Sequence, residues 1–144
     1  MAVTQVQAQS AAVSTTSATL TITAPGAGNL LTLQIFSGAG NQTALAAPTG
    51  WSTAVRTTST AVGVAAIFYR IANGTEGTSL VVSGSASSTT NTVYFQEWSS
   101  NSGAWAADPL DAPTAAFAEL ASTTTATLTA AAATSTTESL VLRI

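Results

Sequence analysis

The sequence predicts an all-β fold, an antiparallel β-sandwich of jelly-roll type. Apolar and polar residues alternate with a period of two in most segments, which is typical of half-buried strands. Glycine, proline, serine and asparagine separate these segments at short intervals, as in sandwiches and jelly rolls. The length of 144 residues suits one domain. We expect that domain at residues 18–144, after an N-terminal arm or first strand at residues 1–17.

Individual strands are predicted from their alternation patterns. In residues 18–23 the apolar side chains fall on one face and the threonines on the other. Residues 30–36 are more continuously apolar, which predicts a central strand covered on both faces. Residues 61–71, 80–82 and 92–98 follow, with a glycine-containing turn at 73–77. Later strands are expected at 124–130 and 138–144. The core is predicted to consist largely of Leu33, Ile35, Trp51, Phe68, Leu80, Val82, Val93 and Phe95.

The low content of charged residues excludes several function classes. Only 6% of the residues are charged, against about a quarter in an average soluble domain. The only cations, Arg56, Arg70 and Arg143, are too scattered to form the basic patch that nucleic acids or anionic membranes require. The chain has no stretch of roughly 18 apolar residues, so membrane insertion is not expected. Histidine, cysteine and lysine are absent, so we expect neither an enzyme nor a cofactor.

The N-terminal segment bears on localisation. Residues 1–17 have no positively charged start and no continuous apolar stretch, so they do not form a signal peptide. Synthesis in a cytoplasm is therefore expected. A surface rich in hydroxyl groups and free of lysine is nevertheless unusual for a cytoplasmic protein. A virion component, synthesised in the host cytoplasm and working outside it, is consistent with both observations.

A pair of aspartates is the first candidate for chemistry. Asp108 and Asp111 flank Pro109-Leu110 in a predicted loop. Two carboxylates can hydrolyse glycosides or contribute to a calcium site. Side chains that cap turns around two prolines explain the same pattern and are favoured, because the segment lacks the alternating oxygen ligands of a calcium loop. No metal site is therefore expected.

Arg70 is the second candidate, as a strand-borne cation among apolar residues. It could clamp a ligand, but pairing with a carboxylate inside the protein is favoured. Glu97 is the expected partner, and Glu76 lies in the turn between them.

The three tryptophans suggest a third site, since indoles stack on sugar rings. Trp51 is expected to close one end of the core, and Trp98 to be partly buried. Trp105 lies in a predicted loop and is the best candidate for an exposed ligand contact, although a place in the core or at a protomer interface is favoured.

Several segments together resemble β-sandwich domains of bacteriophage structural proteins and related bacterial surface proteins. The resemblance covers residues 20–144, with an arginine at position 70 where the family commonly has lysine. It is carried by Pro48-Thr49-Gly50-Trp51, Phe68-Tyr69-Arg70-Ile71-Ala72, Gly74-Thr75-Glu76, Glu97-Trp98-Ser99, Pro109-Leu110-Asp111-Ala112 and the threonine-rich approach to residues 138–142. Such domains serve as capsid decorations, head or tail fibres and adsorption modules, and the resemblance implies no catalytic site.

Two functions follow as hypotheses. The first is a non-enzymatic virion structural protein, exposed on a phage capsid or tail and held by contacts with copies of itself and with other virion proteins. The alternative is a carbohydrate-binding or adhesin module that attaches to a surface glycan through Trp105 and neighbouring loops. A hydrolase that uses Asp108 and Asp111 is the least favoured.

Overall fold

The computed structural model describes residues 3–13, 17–37, 47–56, 64–83, 91–101, 103, 105 and 109. These residues form seven β-strands and no helix. Accordingly, the described part of the chain has no helix that is long and apolar enough to cross a membrane. The strands are β1 (Val3–Val13), β2 (Ser17–Thr21), β3 (Leu30–Ser37), β4 (Ser52–Arg56), β5 (Val64–Ile71), β6 (Ser79–Ser83) and β7 (Asn91–Ser100).

The strands form two antiparallel sheets. The larger sheet has the order β1-β7-β3-β5-β4, and β2 pairs with β6 in the smaller one. Apolar residues on one face of each sheet meet in a shared core. Leu20 and Val82 from the small sheet join the inner face of the large sheet, where Leu33 lies in register between Phe68 and Phe95. The all-β, sandwich-like prediction is therefore confirmed.

The alternation in sequence matches the burial of individual strands. In β2, exposed and buried residues alternate strictly, with Ala18 and Leu20 buried. In β7, Val93 and Phe95 are buried, whereas Tyr94 is 44% exposed. All eight residues predicted for the core pack in it: six are buried, and Trp51 and Leu80 are partly buried against it.

The central strand β3 is buried on both faces, as predicted. Leu31, Leu33 and Ile35 face the small sheet, while Leu30, Thr32 and Gln34 face the other way, and all six are buried. Polar groups on the outer face satisfy one another. The indole Nε1 of Trp98 donates to Thr32 Oγ1 at 3.1 Å, and Gln34 Nε2 donates to Gln96 Oε1 at 3.3 Å.

Two glycine turns lead directly into β3 and β4. The N–H of Trp51 donates to the carbonyl of Pro48 at 3.0 Å, and Gly50 has a φ of 79°. The N–H of Asn29 donates to the carbonyl of Gly26 at 3.1 Å, with Gly28 at a φ of 85°. Both have a glycine with positive φ at the third position, which a type II turn requires. The strands predicted at 124–130 and 138–144 lie outside the described residues.

Candidate functional site

A pocket opens at one end of the core, between the two sheets. Its volume is about 280 Å³. The apolar wall comes from both layers and includes Leu31, Phe95 and Leu80, and the turn before β4 contributes Trp51. Polar groups converge on the same space, since Arg70, Glu76, Thr49 and Ser79 also line it. A pocket that combines apolar walls with a few convergent polar groups is a common form of small-molecule site.

An ion pair forms the charged part of this pocket. Arg70 Nη2 lies 3.1 Å from Glu76 Oε1, and the side chains are 23% and 9% exposed. Arg70 belongs to β5 and points inward, because its register partner on β3 is Leu31, a core residue. The prediction that Arg70 pairs with a carboxylate inside the protein is confirmed. The prediction that Glu97 is that carboxylate is wrong.

Glu76 is also the organising residue of the turn between β5 and β6. Its Oε1 accepts the N–H of Asn73 at 2.8 Å, and its Oε2 accepts the N–H of Gly74 at 2.9 Å. Partial burial alone would raise the pKa of Glu76. The backbone N–H groups of Asn73, Glu76 and Gly74, together with the positive charge of Arg70, outweigh burial and lower this pKa below its ordinary value. Glu76 is therefore a carboxylate at neutral pH.

The ion pair does not involve every donor of Arg70. Its Nε is buried and has no hydrogen-bond partner among the described residues. On the other side, the guanidinium packs so closely on the Pro48–Trp51 turn that a Cβ at Gly50 would lie 3.4 Å from Arg70 Nη1. The pocket therefore combines Trp51, the Arg70–Glu76 ion pair and two hydroxyl-bearing residues, Thr49 and Ser79. These groups suit a small hydroxylated molecule with one apolar face.

Glu97 lies elsewhere, beneath the loop that connects β2 to β3, and it is only 1% exposed. Its Oε1 accepts Gly26 N–H at 2.8 Å and Asn29 Nδ2 at 2.6 Å. Its Oε2 accepts Gln7 Nε2 at 2.6 Å. Three donors satisfy a buried carboxylate that would otherwise be costly to desolvate. This cluster, the Glu97 network, holds β7, β1 and the 22–29 loop together, which leaves Glu97 unavailable to Arg70.

The sequence-predicted ligand contacts are not brought together with the pocket. Trp105 is half-buried, and its indole Nε1 is buried without a hydrogen-bond partner in the described part of the chain. It does not line the pocket. Asp108 and Asp111 lie outside the described residues, so their roles stay predictions. Among the residues that are described, no cluster of three or more histidines, cysteines or acidic residues could hold a metal ion.

Sequence reasoning missed the pocket because its lining comes from separate segments. Trp51 was expected only to close the core, and it does pack against the core, but it also forms part of the pocket wall. The sequence identifies Glu76 only as a turn residue. The short spacing between Arg70 and Glu76 across a glycine turn was the available signal.

Comparison with known proteins supplies no relative. The chain matches no protein-family model, no curated protein and no solved structure. The resemblance to phage sandwich domains therefore depends on the sequence segments alone.

Proposed function

We propose that this protein is a non-enzymatic structural subunit of a virion, exposed on a phage capsid or tail as a decoration or fibre-like component. It is held there by contacts with copies of itself and with other virion proteins. The observation that carries the proposal is the use of charge inside the fold. Glu97 and the Arg70–Glu76 pair both fasten loops to strands, and the sequence leaves few other charges for the surface.

The positions of Glu97 and Glu76 favour a structural role over a catalytic one. General acid–base catalysis needs a titratable group within reach of a substrate proton. Glu97 is fully buried beneath its three donors, and Glu76 is occupied by two backbone N–H groups and Arg70. A surface of hydroxyls and amides also repels identical copies only weakly, which favours close assembly.

The jelly-roll topology belongs to the same proposal. A jelly roll has eight strands in two sheets, and seven strands are found among the described residues. One of the two strands predicted at 124–130 and 138–144 would complete the eight.

Particle purification tests the proposal. Particles from a producing culture, banded on a density gradient, should contain the chain in many copies per particle, as measured by quantitative mass spectrometry. An abundant host cytoplasmic protein serves as the control for contamination. A chain that stays at the top of the gradient while particles band below would contradict the proposal.

A second candidate function is carbohydrate binding for attachment to a host surface. The pocket favours it, because an indole beside an ion pair and two hydroxyls is suited to a sugar ring. This assignment places the contact at Trp51 and Arg70 rather than at Trp105.

A glycan array probed with the unmodified chain, Arg70→Lys and Trp105→Ala distinguishes the pocket from Trp105 as the sugar site. Saturable binding that is lost in Arg70→Lys and kept in Trp105→Ala would locate the ligand in the pocket. The opposite result would locate it at Trp105, and the absence of binding by the unmodified chain would reject this candidate. Far-UV circular dichroism of each variant provides the control for folding.

A further inference from the structure

We propose that the outer edge of β1 pairs antiparallel with β1 of a second copy, which joins two large sheets into one continuous sheet. The inference rests on the proposed function, because it supplies the self-contact that a repeated subunit needs.

The position of β1 leaves one of its edges available. One edge pairs with β7 along the whole strand, from Val3 opposite Ser100 to Val13 opposite Asn91. Because β1 is the first strand of the sheet order, no described strand lies on its other edge. At about 3.4 Å per residue, its 11 residues span roughly 37 Å. No described strand pairs with the outward-facing N–H and C=O groups along that length, and such groups are a template for pairing with another chain.

The strand has few of the features that normally prevent such pairing. Natural edge strands are protected by charged residues, proline, short length or bulges. β1 contains no charged residue and no proline. At the opposite end of the sheet, β4 has only five residues and ends at Arg56. The one irregularity of β1, between Gln5 and Gln7, leaves the part from Gln7 onward in regular register.

The side chains of this regular part suit a second copy. Ala8, Ser10 and Ala12 are exposed on the outer face of the sheet, opposite Gln96, Tyr94 and Thr92 of β7. A two-fold axis at Ser10, perpendicular to the sheet, places Ala8 opposite Ala12 of the copy and Ser10 opposite itself. These small, uncharged side chains can face their own kind without repulsion or steric conflict. An interface of this isologous kind closes as a dimer.

Single cysteines test the pairing directly, because the natural chain has none. We would introduce Ala8→Cys, Ser10→Cys and Ala12→Cys separately and oxidise each protein in dilute solution. A two-fold axis at Ser10 brings the two Ser10 Cα atoms within the roughly 4.4–6.8 Å that a disulfide requires. We therefore expect covalent dimer with Ser10→Cys, at least fivefold more than with either neighbour. Thr78→Cys, at an exposed turn position, gives the background.

A charge variant provides a second measurement that does not depend on oxidation. Ser10→Lys places two like charges together at the axis, and we expect the dimer Kd in sedimentation to rise at least tenfold. Thr78→Lys should leave the Kd unchanged. Disulfide formation no greater than in Thr78→Cys, with a monomer at every concentration, would overturn the inference.

The same negative result is expected if residues 110–144 of the same chain occupy the edge instead. That negative result would not contradict the proposed function if the chain still bands with particles. Conversely, a β1-paired dimer that is absent from particles would reject the virion assignment alone.

Discussion

Gln7 and Glu97, 90 residues apart in sequence, are joined by a 2.6 Å hydrogen bond between the side-chain amide and the buried carboxylate. Gln7 also binds the backbone of Thr23, with its Nε2 donating to the carbonyl at 2.8 Å and its Oε1 accepting the N–H at 2.9 Å. One glutamine therefore fastens the edge strand both to its neighbour β7 and to the loop after β2. Gln7 and the Glu97 network thus link the 22–29 loop, which follows the small sheet, to β1 and β7 of the large sheet.

Glu97→Leu should destabilise the protein by about 3 kcal/mol or more, because it leaves three donors without their acceptor in a buried site. Glu97→Gln keeps the shape and one acceptor oxygen, so we expect a loss of about 1–2 kcal/mol. Urea unfolding measures both. The neighbouring Gln96→Ala is the matched control, since Gln96 makes one long bond on the outer face. Equal losses of unfolding free energy for Glu97→Leu and Gln96→Ala would show that the Glu97 network contributes little to stability.

The glycines of the 73–77 turn provide a matched pair. Gly74 and Gly77 have φ values of 82° and 73°, so alanine at either position costs about 1 kcal/mol of backbone strain. A Cβ at Gly74 would lie 3.2 Å from Ala27 Cβ, whereas a Cβ at Gly77 meets nothing within 4 Å. Gly74→Ala should therefore be the more destabilising in thermal unfolding, and Ala27→Gly should partly restore it. The reverse order would contradict the packing of this turn against Ala27.

Periodicity predicted the parts of the fold that depend on which face of a strand is buried. Alternation predicts Phe68 and Phe95 in the core because apolar residues recur at every second position of their strands, and both are fully buried. β1 was less predictable, since its glutamines, alanines and serines show no clean alternation. Its place at the sheet edge depends on long-range pairing with β7.

Leu33→Ala tests the centre of the core. Leu33 is fully buried on the central strand between Phe68 and Phe95, so the resulting cavity should cost about 2–5 kcal/mol. Leu80→Ala, at a partly buried position of β6, should cost clearly less. Denaturant unfolding of both variants measures the two losses of unfolding free energy. A loss at Leu80 equal to that at Leu33 would indicate that the inter-sheet core is not where we place it.

The stability of the protein should depend on pH through Glu76. Its pKa is lowered in the folded state, because backbone N–H groups and Arg70 outweigh burial. This contribution is fully present above the unfolded value of about 4.3 and is lost as the pH falls through the lower folded value. Glu76→Gln should thus be less stable than the natural chain at pH 7, with a difference that shrinks toward pH 3. For the control Thr78→Ala, the difference in unfolding free energy from the natural chain should not change with pH. A difference that is likewise independent of pH for Glu76→Gln would contradict a stabilising role for the Glu76 carboxylate.

The partners of the charged residues could not be predicted in the same way. Glu97 was assigned to Arg70 because both lie in strands, yet its donors come from Gln7, Gly26 and Asn29, which carry no distinctive pattern. Such contacts depend on how loops fold over the end of a sheet, which periodicity does not specify. Arg70 instead pairs with the nearer Glu76, which the turn returns to the mouth of the pocket.

A cryo-electron microscopy map of the native particle tests whether this protein is a virion structural subunit. We expect repeated density on the outside of a capsid or tail into which the five-stranded and two-stranded sheets fit, with side-chain density for Trp51, Phe68 and Trp98. A complete map of the particle, with every density on its surface accounted for by other chains, would contradict the assignment of this protein as a virion structural subunit.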